Sequence, residues 1–125
     1  MKIHGIAHIE LTVSDLSRSK EFYGKIPGMV VVAEYPSFIM FANGSFCLGL
    51  TDHKNNLQEK RFSEFNVGLD HLAFGVNSMD DLNEGLESLV REEIEHSDIK
   101  RLSNNSYIIT FRDPDNIQRE FAYKN

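Results

Sequence analysis

The alternation of apolar and polar positions divides the chain into two similar runs. Ile9, Leu11 and Val13 alternate with His8, Glu10 and Thr12, the period of a half-buried strand. Ser14 and Asp15 follow as capping residues, and the spacing predicts a short helix through Lys25 with Leu16, Phe22, Tyr23 and Ile26 on its apolar side. Pro27-Gly28 closes it. Met29 to Tyr35, rich in Val, reads as a strand that Pro36 breaks, and Ser37 to Ala42 as the next. Asn43-Gly44 predicts a tight hairpin turn with both residues at positive φ, and Ser45 to Thr51 returns as a fourth strand.

The second run starts with a strand from Leu69 to Val76. Ser78 and Asp81 resemble a capping box, and Leu82, Leu86 and Leu89 at helical spacing predict a core-facing helix through Glu93, which Gly85 weakens. A short strand is expected over His96 to Leu102, a turn at Ser103-Asn104-Asn105 and a strand from Tyr107 to Arg112. Asp113-Pro114-Asp115-Asn116 forms a turn, since Pro fixes φ while Asp and Asn bond back to the backbone, and a last strand runs from Ile117 to Tyr123. Between the runs, residues 52–66 (DHKNNLQEKRFSEFN) read as a solvated linker.

The two runs match each other. Ile6-Ala7-His8-Ile9-Glu10-Leu11-Thr12-Val13 reads like Leu69-Asp70-His71-Leu72-Ala73-Phe74-Gly75-Val76, with the two histidines 63 positions apart. A two-copy repeat of half the chain is a duplicated module rather than a solenoid. Each copy reads strand, helix, three strands, so the expected class is α+β. The expected organisation is one domain over residues 1–125, made of modules 1–51 and 67–125.

Composition narrows the function classes. The 125 residues suit one domain, and 41% hydrophobic with 26% charged residues excludes a disordered or fibrous chain. The net charge of −6 disfavours nucleic acid and anionic membranes as partners. No apolar run approaches the roughly 18 residues that a membrane helix needs. No apolar signal segment is seen at the N-terminus, and the single Cys47 cannot form an internal disulfide, so the expected location is cytoplasmic.

Three stretches carry a family resemblance: residues 6–29 (IAHIELTVSDLSRSKEFYGKIPGM), 69–76 (LDHLAFGV) and 111–123 (FRDPDNIQREFAY). In this order and spacing they are similar to signature stretches of the vicinal oxygen chelate superfamily, which holds glyoxalase, bleomycin-resistance and extradiol dioxygenase proteins. The resemblance implies two βαβββ modules whose mixed sheets form a cup, helices outside, around one divalent metal per site. It places metal ligands on His8, His71 and Glu120. Strand alternation agrees that each stands on the less apolar face of its strand. Two imidazoles and a carboxylate with open positions suit Fe(II) and also hold Mn, Ni, Co or Zn.

The family's frequent fourth ligand falls on Gly49, which has no ligating group. That departure disfavours the four-ligand glyoxalase I and methylmalonyl-CoA epimerase activities and favours the three-ligand subset. The implied function is a small metal-dependent enzyme, a lyase, dioxygenase, isomerase or transferase, that uses the metal as a Lewis acid on an oxygen-bearing small molecule. Glu10 faces the same side as His8 and is either a general base or a rim charge. Thr12, Cys47, Thr110, Arg112 and Gln118 share the substrate side, where Arg112 could hold an anionic group. His53, His96 and Tyr107 are the candidates for an auxiliary acid or base; His53 otherwise reads as surface. The alternatives are a bleomycin-resistance-type drug-binding protein, with Phe38, Phe41 and Phe46 in the cup, and a fosfomycin-modifying thiol transferase, to whose phosphonate Glu10 is unfavourable. A homodimer is implied, with the site within one chain or shared between two.

Overall fold

The structure, a computed structural model, describes residues 1–44 and 46–125. It consists of two compact units, Met1–Lys60 and Arg61–Asn125, each a βαβββ module with a four-stranded mixed sheet. The predicted linker 52–66 is divided between them.

In the first unit, strands β1 (Ile9–Thr12), β2 (Val30–Tyr35), β3 (Phe38–Asn43) and β4 (Phe46–Thr51) lie in the order β1-β4-β3-β2, with β1 and β4 parallel. Helix α1 (Leu16–Gly24) starts where the Asp15 carboxylate accepts the Arg18 N–H at 2.9 Å, which satisfies one of the helix's orphan donors. Leu11, Ile39, Phe41, Leu48 and Leu50 are buried together with Tyr23 of α1. Each such side chain contributes about 1.5–3 kcal/mol of burial energy.

Asn43 does not take the turn position predicted for it. Asn43 remains in β3 as the partner of Phe46, and Gly44 takes the positive φ of 57°. The Asn43 side-chain amide donates to Pro27 O at 3.3 Å. The predicted strand start, Ser45, lies outside the described residues.

In the second unit, β5 (His71–Gly75), β6 (Lys100–Arg101), β7 (Ser106–Arg112) and β8 (Gln118–Lys124) repeat the pattern as β5-β8-β7-β6, with β5 and β8 parallel. Helix α2 (Met79–Arg91) is capped by Ser78 Oγ, which accepts the Asp81 N–H at 3.0 Å. Leu82 and Leu89 are buried as their spacing predicts. Gly85 has a packing reason: a Cβ there would stand 2.9 Å from the Phe121 ring. The expected strand over His96 to Leu102 reduces to β6 and a single bridge between His96 and Phe111.

The segment expected as a solvated linker is structured at both ends. His53–Asn55 form a tight turn in the left-handed region, with φ of 48°, 56° and 63°. Phe62 and Glu64 are tied to the second unit, the former by its N–H to Asp115 O at 2.9 Å and its carbonyl from Asn116 Nδ2 at 3.0 Å. No helix of the described residues is long and apolar enough to cross a membrane.

Candidate functional site

The register of the second unit fixes which side chains meet. His71, Gln118 and Arg112 stand opposite one another in one row across β5, β8 and β7; Ala73, Glu120 and Thr110 form the next. Directly paired residues share a sheet face, so these six lie together. The intervening row of Leu72, Arg119 and Phe111 and the next row of Phe74, Phe121 and Ile109 take the opposite face, where Phe121 meets Gly85 of α2.

On this face His71 Nε2 lies 3.6 Å from Glu120 Oε2. The spacing is too long for a good hydrogen bond but suits two donors of one ion: at about 2.1 Å from a shared metal, they stand about 3.0–3.4 Å apart at octahedral to tetrahedral angles. Both groups are held from behind. Asp70 Oδ1 is 2.6 Å from His71 Nδ1, so the ring proton belongs on Nδ1 and the lone pair on Nε2, directed toward Glu120. Gln118 Nε2 donates to Glu120 Oε1 at 3.2 Å, leaving Oε2 turned to the imidazole. One imidazole nitrogen and one carboxylate oxygen, each with an orienting partner, fit a first-row divalent ion. Among the described residues these two are not part of any group of three or more His, Cys, Asp or Glu side chains that could hold a metal.

Arg112 is not the free cation that the sequence suggested. Its guanidinium donates to both Glu64 carboxylate oxygens, at 2.7 and 3.2 Å, and to Asn116 O at 2.9 Å and Gln118 Oε1 at 3.3 Å. The bidentate bond to Arg112 holds the Glu64 carboxyl down to about 2, and the same bond raises the guanidinium above its ordinary value. Beside Arg112 is a cavity of about 320 Å³ lined by Glu95, His96, Ser97, Thr110, Phe111 and Gln118 as well. His96 Nδ1 donates there to Ser97 O at 2.8 Å. Tyr107 stacks on Tyr123, with ring centroids 6.3 Å apart.

In the first unit, His8 is exposed and directly precedes β1 rather than lying within it. Glu10 is exposed and pairs with Gly49. His53 is exposed, in line with its reading as a surface residue, and its Nε2 lies 3.1 Å from Thr12 Oγ1. Cys47 is half-buried opposite Ala42. The sequence reading missed Asp70, Glu64 and Arg119. Asp70 stood beside a candidate ligand, a usable signal. Glu64 gave none, being 48 positions from its partner. Arg119 is fully buried on the sheet face opposite Glu120, with Asp113 Oδ2 at 3.6 Å, and its signal was a charge in the alternation's apolar phase. Asp113 also closes its turn by accepting the N–H groups of Asp115 and Ile117 at 2.9 and 2.8 Å.

Comparison with known proteins finds the same kinship by sequence and by fold. A family model described as the glyoxalase/bleomycin resistance protein/dioxygenase superfamily matches residues 5–121. The uncharacterized protein YqjT of Bacillus subtilis (strain 168) is 30% identical over 122 residues, which span 92% of this chain and 95% of that protein. The metallothiol transferase FosB of Staphylococcus haemolyticus is 33% identical over 78 residues, 62% of this chain but only 53% of the transferase. The crystal structure of a glyoxylase/bleomycin resistance protein/dioxygenase domain from Frankia sp. EAN1pec superposes with a TM-score of 0.86 at 29% identity, covering 99% of this chain and 100% of that one.

Proposed function

The chain belongs to the glyoxalase/bleomycin resistance protein/dioxygenase superfamily, and from that premise we propose that it is a small metal-dependent enzyme acting on an oxygen-bearing small molecule. The observation that carries this reading is the His71–Glu120 pair, set 3.6 Å apart with Asp70 and Gln118 orienting the two groups. His8 is the third ligand, supplied by the same chain or by a second copy in a homodimer. A divalent ion bound by this set supplies Lewis acidity toward substrate oxygens.

The chain's own residues define the rest of the chemistry. Asp70 holds a proton on His71 Nδ1, which leaves Nε2 as the nitrogen to bind an ion. Gln118 fixes which Glu120 oxygen is available. Thr110, opposite Glu120, offers a hydroxyl on the substrate side. Arg112 recognises an anionic substituent when that group displaces Glu64. Thr12 and Cys47 are the first unit's contacts to substrate.

Metal stoichiometry tests the reading. Chelator-stripped protein is reconstituted anaerobically with Fe(II), Mn(II), Ni(II) or Zn(II), desalted and assayed by elemental mass spectrometry. About one metal per chain is expected, lost in His8→Ala and in His71→Ala. No metal retained from any of the four overturns the proposal and leaves a drug-binding protein as the better account. Mixing His8→Ala with His71→Ala chains locates the site: recovered metal means that two copies share it, and none means that it lies within one chain.

A second reading, metal-assisted thiol transfer, draws on the match to the metallothiol transferase and on Arg112 as a cation for a phosphonate. Thiol consumption by Mn(II)-loaded protein with fosfomycin present, absent in Arg112→Ala, would establish it.

A further inference from the structure

Asn43 is the last residue of β3, Gly44 follows it in the turn before β4, and both are exposed to water. An asparagine followed by glycine carries its own electrophile and nucleophile, since the glycine backbone nitrogen can attack the asparagine Cγ. Among the described residues nothing lies within 4 Å of where a Cβ of Gly44 would be, so that approach is open. What stands against the attack is where the carboxamide lies. Asn43 stays in the strand as the partner of Phe46, and its Nδ2 donates to Pro27 O at 3.3 Å. The carboxamide also rests on Gly28, where a Cβ would stand 2.7 Å from Nδ2 and 3.4 Å from Cγ. An amide seated on the Pro27–Gly28 bend has to leave it before Cγ can meet the Gly44 nitrogen.

We propose that Asn43 is a self-modification site that records each opening of the contact between the Pro27–Gly28 bend and the β3–β4 hairpin. Once the carboxamide leaves Gly28, the Gly44 nitrogen bonds to Asn43 Cγ. The Cγ–Nδ2 bond breaks, the proton from Gly44 ends on the departing ammonia, and a succinimide ring remains. Water then opens the ring at either carbonyl, so water is taken up, ammonia is released and nothing is oxidised or reduced. Opening at one carbonyl gives aspartate; opening at the other gives isoaspartate, whose main chain is longer by a methylene. Either product is a lasting change. Aspartate sets a carboxylate oxygen against Pro27 O where a donor stood, and adds a negative charge to a chain already at −6. Isoaspartate lengthens the chain at the end of a register that pairs Ala42 with Cys47 and buried Phe41 with buried Leu48.

Peptide mapping by mass spectrometry tests this on the full-length protein. In neutral buffer, wild type is expected to gain about 1 Da at Asn43 about tenfold more slowly than in about 8 M urea, where the contact is lost. Gly28→Ala pushes a methyl into the carboxamide and is expected to bring the rate to within about threefold of the urea value, with circular dichroism still reporting a folded chain. Equal wild-type rates in buffer and in urea overturn the proposal, because the folded contact then protects nothing. An unmodified Asn43 in urea overturns it too, as does a folded Gly28→Ala that reacts no faster than wild type. Should Gly28→Ala fail to fold, wild type in urea below its unfolding transition replaces it. A rate that climbs before the global transition supports local opening, and one that rises only with global unfolding overturns it.

Discussion

The halves share topology and register yet differ at nearly every position that carries charge. His71 is preceded by Asp70, which anchors its ring; His8 is preceded by Ala7, which cannot. Leu72 pairs with buried Arg119 in one half, and Ile9 pairs with buried Leu48 in the other. The second unit therefore holds its polar groups by a network, whereas the first is a simpler apolar module with His8 and Glu10 exposed at its edge. A duplicated backbone fixes where side chains meet and leaves open which of a paired position carries the chemistry.

The largest test of this asymmetry is Asp113→Ala. It removes the counter-charge of a fully buried arginine and the acceptor of two backbone N–H groups, and should cost about 3–5 kcal/mol in urea unfolding. An effect under about 1 kcal/mol would show that the second half does not depend on its buried ion pair.

Next is Asp70→Asn, expected to weaken metal binding by about 10–100-fold, while Ala7→Ser leaves it unchanged. Equal effects in direct metal titration would erase the distinction between anchored and unanchored histidine.

A smaller contrast lies between two glycines. Gly85→Ala drives a methyl into the packed Phe121 ring at 2.9 Å and is expected to destabilise by about 1–2 kcal/mol, even after the gain in helix propensity. Gly49→Ala meets the flexible, exposed Glu10 side chain at 2.8 Å and the edge of the half-buried Phe38 ring at 3.0 Å, and should cost about 1 kcal/mol or less in thermal unfolding.

The smallest effect concerns pH. Glu64 titrates near 2 instead of 4.5, so its bond to Arg112 contributes fully above the ordinary carboxylate range and is lost as pH falls from 4.5 through 2. Side-chain carbonyl NMR should find that low midpoint, and Arg112→Ala should return it to the ordinary range.

The module pattern was legible because it is local. Capping by Asp15 and Ser78, the period of Leu82 and Leu89, and the alternation around Ile9 and Phe121 each follow from neighbours a few residues apart. The resemblance then supplied His71 and Glu120, which the register brings onto one face. What escaped was set by distant partners. Nothing near Glu64 announces Arg112, nothing near Gly85 announces Phe121, and nothing near Asn43 announces its bond to Pro27 O.

The Arg112–Glu64 bond acts as a threshold on what this face can bind. A tethered carboxylate competes for the guanidinium at an effective concentration of millimolar order, so a free monoanion at micromolar levels leaves the bond closed. A ligand that contacts other groups on the same face brings additional affinity and can open it. On the proposed reading, the protein's own acid sets selectivity by excluding weak anions rather than by fitting the preferred one.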